Sequence, residues 1–409
     1  MKRKIAKYFP KNLKIRGLTI QTGKFGIKSN IREDISVLVF EDLVPVGYVL
    51  TNSKTCASNI IWLKKIRSHG KARVLIVNSG NANAYTGKEG NDNIKKIISY
   101  ISSKIGCRKE EVIVSSTGVI GEQLPINKIM KQLPGLLAIS KNNNNQDWIK
   151  FAKSIMTTDT FPKAVIKNTK INGKSIKIIG IAKGSGMIAP NMATMLGFIF
   201  TDANLSKNIL SALIKETTKE TFNCITVDGD MSTNDMVALF ATCKVNCGKI
   251  TTIKDKKLND FKKTLYEVSL SLSKKIIIDG EGAKKLVEVI VKGAFSDADA
   301  KKVALSISNS PLVKTAIAGE DANWGRIIMA IGKADVKLKQ QKLSLAIGNQ
   351  NIITKGKLIE NYNELTVAKY LKQENICILV DMHIGKGKSK TWTCDLTKKY
   401  IEINADYRS

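Results

Sequence analysis

Histidine is almost absent from this chain, with two in 409 residues: His69 in RSHGK and His383 in DMHIGKGK. A serine–histidine–acid triad would have to be built on one of them, and both read as solvated loop residues. Acidic residues are scarce as well, 35 against 66 Lys and Arg, for a formal charge of +31. The seven cysteines (Cys56, Cys107, Cys224, Cys243, Cys247, Cys377, Cys394) are odd in number and scattered, and the close pair Cys243/Cys247 has no second pair to complete a zinc site. They read as reduced, mostly buried thiols. No run approaches the ~20 apolar residues of a membrane span. The basic start, MKRKIAKYFPKNLKIRGLTI, lacks the apolar core and small-residue cleavage site of a secretion signal. These absences lead to the expectation of a soluble, cytoplasmic protein with no metal and no membrane association.

The positive surplus raises nucleic acid or acidic membranes as partners. The lysines, however, stand singly and in pairs from end to end, beside abundant Ile and Asn, so the charge forms no stripe. No zinc-finger, RNP1 or homeodomain pattern accompanies it, and no nucleic-acid partner is expected. At 43% hydrophobic the chain can bury two cores or one large layered one. Apolar, β-branched runs read as strands at 35–40, 73–78, 111–116, 176–182, 194–202, 285–291 and 376–381. Helical patterns fill 91–106, 205–222 and 255–276, the first two opening near a capping-type Asn or Ser. The biased run 141–146 reads as a polar loop. This density of mixed elements predicts an α/β (α+β) fold of layered sheets between helices.

The segment KGSGMIAPNMATML (183–196) joins two predicted strands and must turn tightly. Gly184 and Gly186 permit unusual backbone angles, while Pro190 fixes its own φ and biases Ala189 away from the helical region. Gly184-x-Gly186-x-x-Ala189 also fits a dinucleotide-binding fingerprint, with Asp202 as the ribose acid. That fingerprint has to open a helix, whereas here Pro190 and a second strand leave no room for a crossover.

This segment resembles the self-cleavage motif of the ornithine acetyltransferase family. The resemblance extends along almost the whole chain, through VNSGNANAYTG (77–87), SSTGVIGEQLP (115–125), TTDTFPK (157–163), TVDGDMSTND (226–235), DGEGA (279–283), GEDANWGR (319–326), TWTCDLT (391–397) and NADYRS (404–409). It implies a layered fold similar in style to N-terminal-nucleophile hydrolases, made as one chain and cut between Ala193 and Thr194. The products would be an α fragment (1–193) and a β fragment (194–409) that stay joined through shared sheets and pair as a heterotetramer of two α and two β. The implied activity moves acetyl from N2-acetylornithine to glutamate through Thr194. No cofactor is implied, and whether acetyl-CoA also serves as a donor substrate stays open. A self-cleaving β-aminopeptidase-like hydrolase, which passes the acyl group to water, shares the nucleophile logic and is the alternative.

The chemistry of the residues agrees with that reading. A hydroxyl on a constrained turn can attack the preceding carbonyl and expose Thr194 as a new N-terminus. Its α-amine, with an unperturbed pKa of about 7.7–8.0, then serves as base, and no histidine is needed. Acyl transfer also requires donors aimed at the developing oxyanion. Thr117 and Gly118, after a predicted strand, match the family's Thr–Gly oxyanion pair, although Thr–Gly after a strand is commonly only a turn. The resemblance further implies substrate contacts from Thr157, Lys183, Thr194, Glu281, Asn404 and Ser409. Ser409 stands where the family commonly has threonine, so a hydroxyl is kept. Thr157 cannot be separated from Thr158 on one sequence. Glu281 also reads as a helix-start acid. Gly385–Ser389 ends like a phosphate-binding loop but Met382 replaces its first glycine. Asp228-Gly229-Asp230 lacks the later ligands of a calcium loop.

Overall fold

The computed structural model describes residues 8–27, 31–138, 143–189 and 195–405. The chain divides into two compact units, residues 1–223 with 230–276, and residues 224–229 with 277–409.

The first unit is built on an eight-stranded mixed sheet. Its strands are β1 (Leu18–Gly23), β2 (Ile35–Leu50), β3 (Lys71–Asn78), β4 (Val112–Ser116), β5 (Lys163–Ile171), β6 (Lys174–Lys183), β7 (Leu196–Ala203) and β8 (Met236–Val245). Their order is β4-β3-β2-β8-β7-β6-β5, with β1 paired to β2. Strand β2 stitches the sheet together: it pairs with β1 and β3 in its first half, returns to β3 at Val44 and Pro45 after an irregularity, and pairs with β8 from Val46 to Leu50.

Both faces of this sheet are covered, which is why its strands read as continuous apolar runs and not as alternations. On one face Phe200 stacks on Phe240 and Phe240 on Phe40, each pair 5.3 Å apart between ring centroids, and Trp148 meets Phe200 edge-on. Trp148 comes from the helix Asn145–Ser154, whose cap Asn144 accepts the N–H groups of Gln146 and Asp147. The polar run 141–146 is therefore a helix start from Asn144 onward; residues 141 and 142 lie outside the described residues. The opposite face takes the helices Lys207–Glu220 and Asn259–Ile278. At Gly47 the first helix comes so close that a Cβ would sit 2.5 Å from the Ser211 nitrogen, and at Gly180 a Cβ would sit 2.7 Å from Leu272. Glycine in these strands permits the close approach.

Helix Lys207–Glu220 opens as expected on Ser206, which accepts the Ile209 N–H. The helix expected at 91–106 instead spans Gly87–Ile105, and its cap Thr86 makes no side-chain capping bond. Asn91 lies inside it, donating to the Gly87 carbonyl.

The second unit holds a six-stranded sheet, order β12-β11-β10-β13-β9-β14. These are β9 (Leu286–Ala294), β10 (Ser344–Ile347), β11 (Gln350–Thr354), β12 (Lys357–Leu358), β13 (Asn375–Asp381) and β14 (Gly387–Cys394). Only one face is fully buried: Val287, Val289 and Val291 alternate along β9 with half-buried neighbours. Gly387 opens β14, so the phosphate-loop-like run leads into a strand and not into a helix. No described helix is long and apolar enough to cross a membrane.

Candidate active site

Strands β3 and β4 run parallel, with Asn78 opposite Ser116, and their exits interlock. The Thr117 N–H donates to the Asn78 carbonyl, and that of Val119 to the Gly80 carbonyl. Gly118 between them has φ +138, and a Cβ there would lie 2.2 Å from the Gly80 carbonyl carbon. Only glycine fits. Thr117 is thereby fixed at a strand end and almost wholly buried.

Lys183 closes β6 and is 1% exposed. Its Nζ donates to Thr157 Oγ1 at 2.7 Å and to Thr117 Oγ1 at 3.3 Å. An ammonium only donates, so each hydroxyl accepts from it with a lone pair, and the Thr117 O–H proton is left to point elsewhere as a donor. The neighbouring Thr158 bonds Ser185 Oγ instead, at 2.6 Å, so the structure brings Thr157 and not Thr158 onto Lys183.

A residue that the sequence reading passed over balances this charge. Asp159 is buried, with one oxygen taking Lys163 Nζ at 2.6 Å and the Gly184 N–H at 2.7 Å, and the other taking the Thr157 N–H at 3.0 Å. Burial pushes its carboxyl up, but the Lys163 and Lys183 charges and the Gly184 N–H together hold it well below the ordinary carboxylate range. Asp159 thus ties together Thr157, the start of β5 and the residue after Lys183. Its only signal in the sequence is its place inside TTDTFPK.

Ala193 and Thr194 lie outside the described residues, as does Ser409. The described residues on either side of that segment are nonetheless adjacent: Lys183 pairs with Leu196 in the antiparallel ladder of β6 and β7. Beside them the Met195 N–H donates to Asp235 Oδ1 at 2.7 Å. Asp235 was also passed over, though it ends the quoted segment TVDGDMSTND. In the second unit, Asn404 Nδ2 donates to Glu281 Oε2 at 2.8 Å, so two of the expected substrate contacts are brought together there.

The histidines fall outside these groupings. His383 is exposed, with Ser344 Oγ 3.2 Å away. His69 is not the solvated residue expected: it is half-buried, 3.8 Å from Glu111, because the turn after Ile66 folds it against the start of β4. Burial pushes its pKa down. Among the described residues no His, Cys, Asp and Glu group could hold a metal.

The ArgJ family model matches residues 19–409. The arginine biosynthesis bifunctional protein ArgJ of Mesorhizobium japonicum is 45% identical over 406 residues, 98% of each chain. That of Zymomonas mobilis is 44% identical over 402 residues, 98% of this chain and 97% of its own. A crystal structure of arginine biosynthesis bifunctional protein ArgJ from Bacillus halodurans is 44% identical, with a TM-score of 0.50, and covers 52% of this chain and 100% of that one. Because the matched span includes every strand end that supplies the Lys183 cluster, the chain belongs to the ArgJ family.

Proposed function

We propose that this acetyltransferase of arginine biosynthesis cuts itself between Ala193 and Thr194 and carries acetyl on the freed Thr194 hydroxyl from N2-acetylornithine to glutamate. The Thr194 α-amine takes the hydroxyl proton as Oγ attacks the acetyl carbonyl carbon. Thr117 O–H and Gly118 N–H donate to the oxyanion that forms. The C–N bond then breaks, the proton passes to the departing amine of ornithine, and acetyl remains as an ester on Thr194. The glutamate amine attacks that ester, the C–O bond breaks, and Thr194 regains its proton.

The observation that carries this reading is the buried Lys183 ammonium joining the Thr117 and Thr157 hydroxyls, with a proton of Thr117 left to donate. Lys183 also suits a substrate carboxylate. The same reading assigns Glu281, Asn404 and Ser409 to the amino-acid substrate. The relatives are named bifunctional, which makes acetyl-CoA the second donor substrate to assay beside N2-acetylornithine. The pairing of β6 with β7 across the cut supports fragments that remain together as αβ units, which pair in the cytoplasm.

The test is enzyme incubated with N2-acetylornithine alone. The peptide beginning at Thr194 gains the mass of one acetyl group, glutamate removes it, and initial rates follow a ping-pong pattern. Intersecting rate lines with no acetylated peptide would remove Thr194 from the mechanism. Acetate release without glutamate as the main outcome would favour the hydrolase.

A further inference from the structure

Two adjacent residues that the proposed mechanism does not use, Asn234 and Asp235, are tied to both halves of its machinery. Strands β7 and β8 are parallel, with Leu196 opposite Met236, so the residues leading into them lie side by side. Asp235, 1% exposed, holds the Met195 N–H, and the Met236 N–H donates to the Met195 carbonyl at 3.3 Å. The peptide directly after residue 194 is therefore clamped. Asn234, 4% exposed, sends Nδ2 to the Ser116 carbonyl at 3.0 Å and to the Ala82 carbonyl at 2.6 Å. Its Oδ1 accepts the Thr233 hydroxyl, which orients the amide with its donors toward those carbonyls. Ser116 is the residue before Thr117. One dipeptide thus holds the oxyanion end of β4 and the segment that carries the nucleophile.

Asp235 has a further property. Its Oδ2 is buried and, among the described residues, has no partner at hydrogen-bond geometry, although Ser232 lies near enough to the carboxyl to favour its charged form. Burial pushes this carboxyl well above its ordinary range against the Met195 N–H, Lys183 and Ser232. Cleavage before Thr194 creates a new nitrogen donor, the α-amine, one residue from the N–H that Asp235 already holds.

Resting on the Thr194 reading, we propose that Asn234 and Asp235 are the positioning pair of the acyl-transfer site. Asn234 fixes the Thr117 end, Asp235 Oδ1 fixes the peptide after Thr194, and Asp235 Oδ2 accepts from the freed α-amine and aims it at the Thr194 hydroxyl.

The experiment compares Asp235→Asn, Asn234→Ala, Thr117→Ala and the Asn234→Ala/Thr117→Ala pair, with cleavage read by intact mass, folding by thermal melting, and kcat and KM from N2-acetylornithine. Asp235→Asn keeps an oxygen for the Met195 N–H and replaces Oδ2 by a donor. It is expected to melt like the wild type and to lose about 10²-fold in kcat with KM nearly unchanged. Asn234→Ala is expected to lose about 10-fold or more alone, and almost nothing further once Thr117 is alanine, because it acts through that residue. An Asp235→Asn protein that folds but stays uncut also supports the proposal, since cleavage uses the same hydroxyl. Wild-type kcat in Asp235→Asn overturns it, and so do independent, multiplying losses in the Asn234/Thr117 cycle. If Asp235→Asn does not fold, that cycle decides alone. Failure of the underlying reading shows separately, as absence of acetyl-Thr194 in the wild type.

Discussion

The Lys183 ammonium meets the Thr157 hydroxyl at 2.7 Å, 26 residues away along the chain, where solvent has almost no access. A buried cation needs acceptors on every side and a counter-charge close by. Thr157, Thr117 and, one step further out, Asp159 answer that need, and each becomes a point at which the site can be tested.

Lys183→Met keeps the volume of the side chain and removes the ammonium. Steady-state assays on protein shown to be cut should give kcat/KM lower by about 10²–10³, the range for loss of one electrostatic partner at a reacting centre. A variant within about threefold of the wild type would place Lys183 in a purely structural role.

Asp159 should contribute to acid stability. Its folded-state pKa is depressed by Lys163 and Lys183, so its contribution is fully present above the ordinary carboxylate value of 3.8 and is lost as pH falls below that toward the folded-state value. Asp159→Asn leaves Lys163 buried without its counter-charge and should cost about 3–5 kcal/mol at neutral pH. Denaturant melts from pH 7 downward check both: the wild type should lose stability faster than the variant as pH drops below about 4.

Gly118→Ala forces a Cβ to within 2.2 Å of the Gly80 carbonyl carbon, in a backbone conformation that side chains rarely adopt. The strain alone is about 1–3 kcal/mol, and relieving it moves Thr117. Melting temperature and kcat should therefore fall together, whereas Gly332→Ala, with nothing within 4 Å of its Cβ and no positive φ, should leave both unchanged.

Thr194→Ala should remain one chain of 409 residues, while the wild type yields a fragment whose N-terminal sequencing begins at Thr194. A first cycle that reads any other residue would sink the assignment of the cut.

Moderate salt should change acetyl transfer little, because the substrates are small and the lysines behind the charge of +31 are dispersed. Binding to a nucleic acid would instead weaken steeply as salt rises. A filter-binding titration against salt distinguishes the two, and tight binding at physiological salt would give the charge a function.

The strands most visible in the sequence are those with β-branched runs bounded by turn residues, and 73–78 and 176–182 lie within β3 and β6. Strand β8, MVALFATCKV, was missed: its Ala, Leu, Met and Phe suit a buried helix equally well, and periodicity is silent where both faces are covered. Likewise 255–276 gives the helix Asn259–Ile278 only after a short 3-10 turn at Lys256–Leu258. Thr117, Gly118, Thr157 and Lys183 were readable because motifs carry them. Asp159, Asn234 and Asp235 stand inside the segments TTDTFPK and TVDGDMSTND, but nothing there singles them out, because their importance lies in partners 25 to 152 residues away that only the fold brings near.

The antiparallel ladder that runs from Ile178/Thr201 to Lys183/Leu196 straddles the position of the proposed cut. Before cleavage those two strands are ends of one short connection, and closing it costs little entropy. With the proposed cut made, the same ladder would join separate chains, and its re-formation from the unfolded state would become a second-order encounter that depends on protein concentration. A cut enzyme would then be held by the slowness of unstitching a sheet buried on both faces. Heated past that barrier it should not return, whereas an uncut Thr194→Ala chain should refold as a single piece.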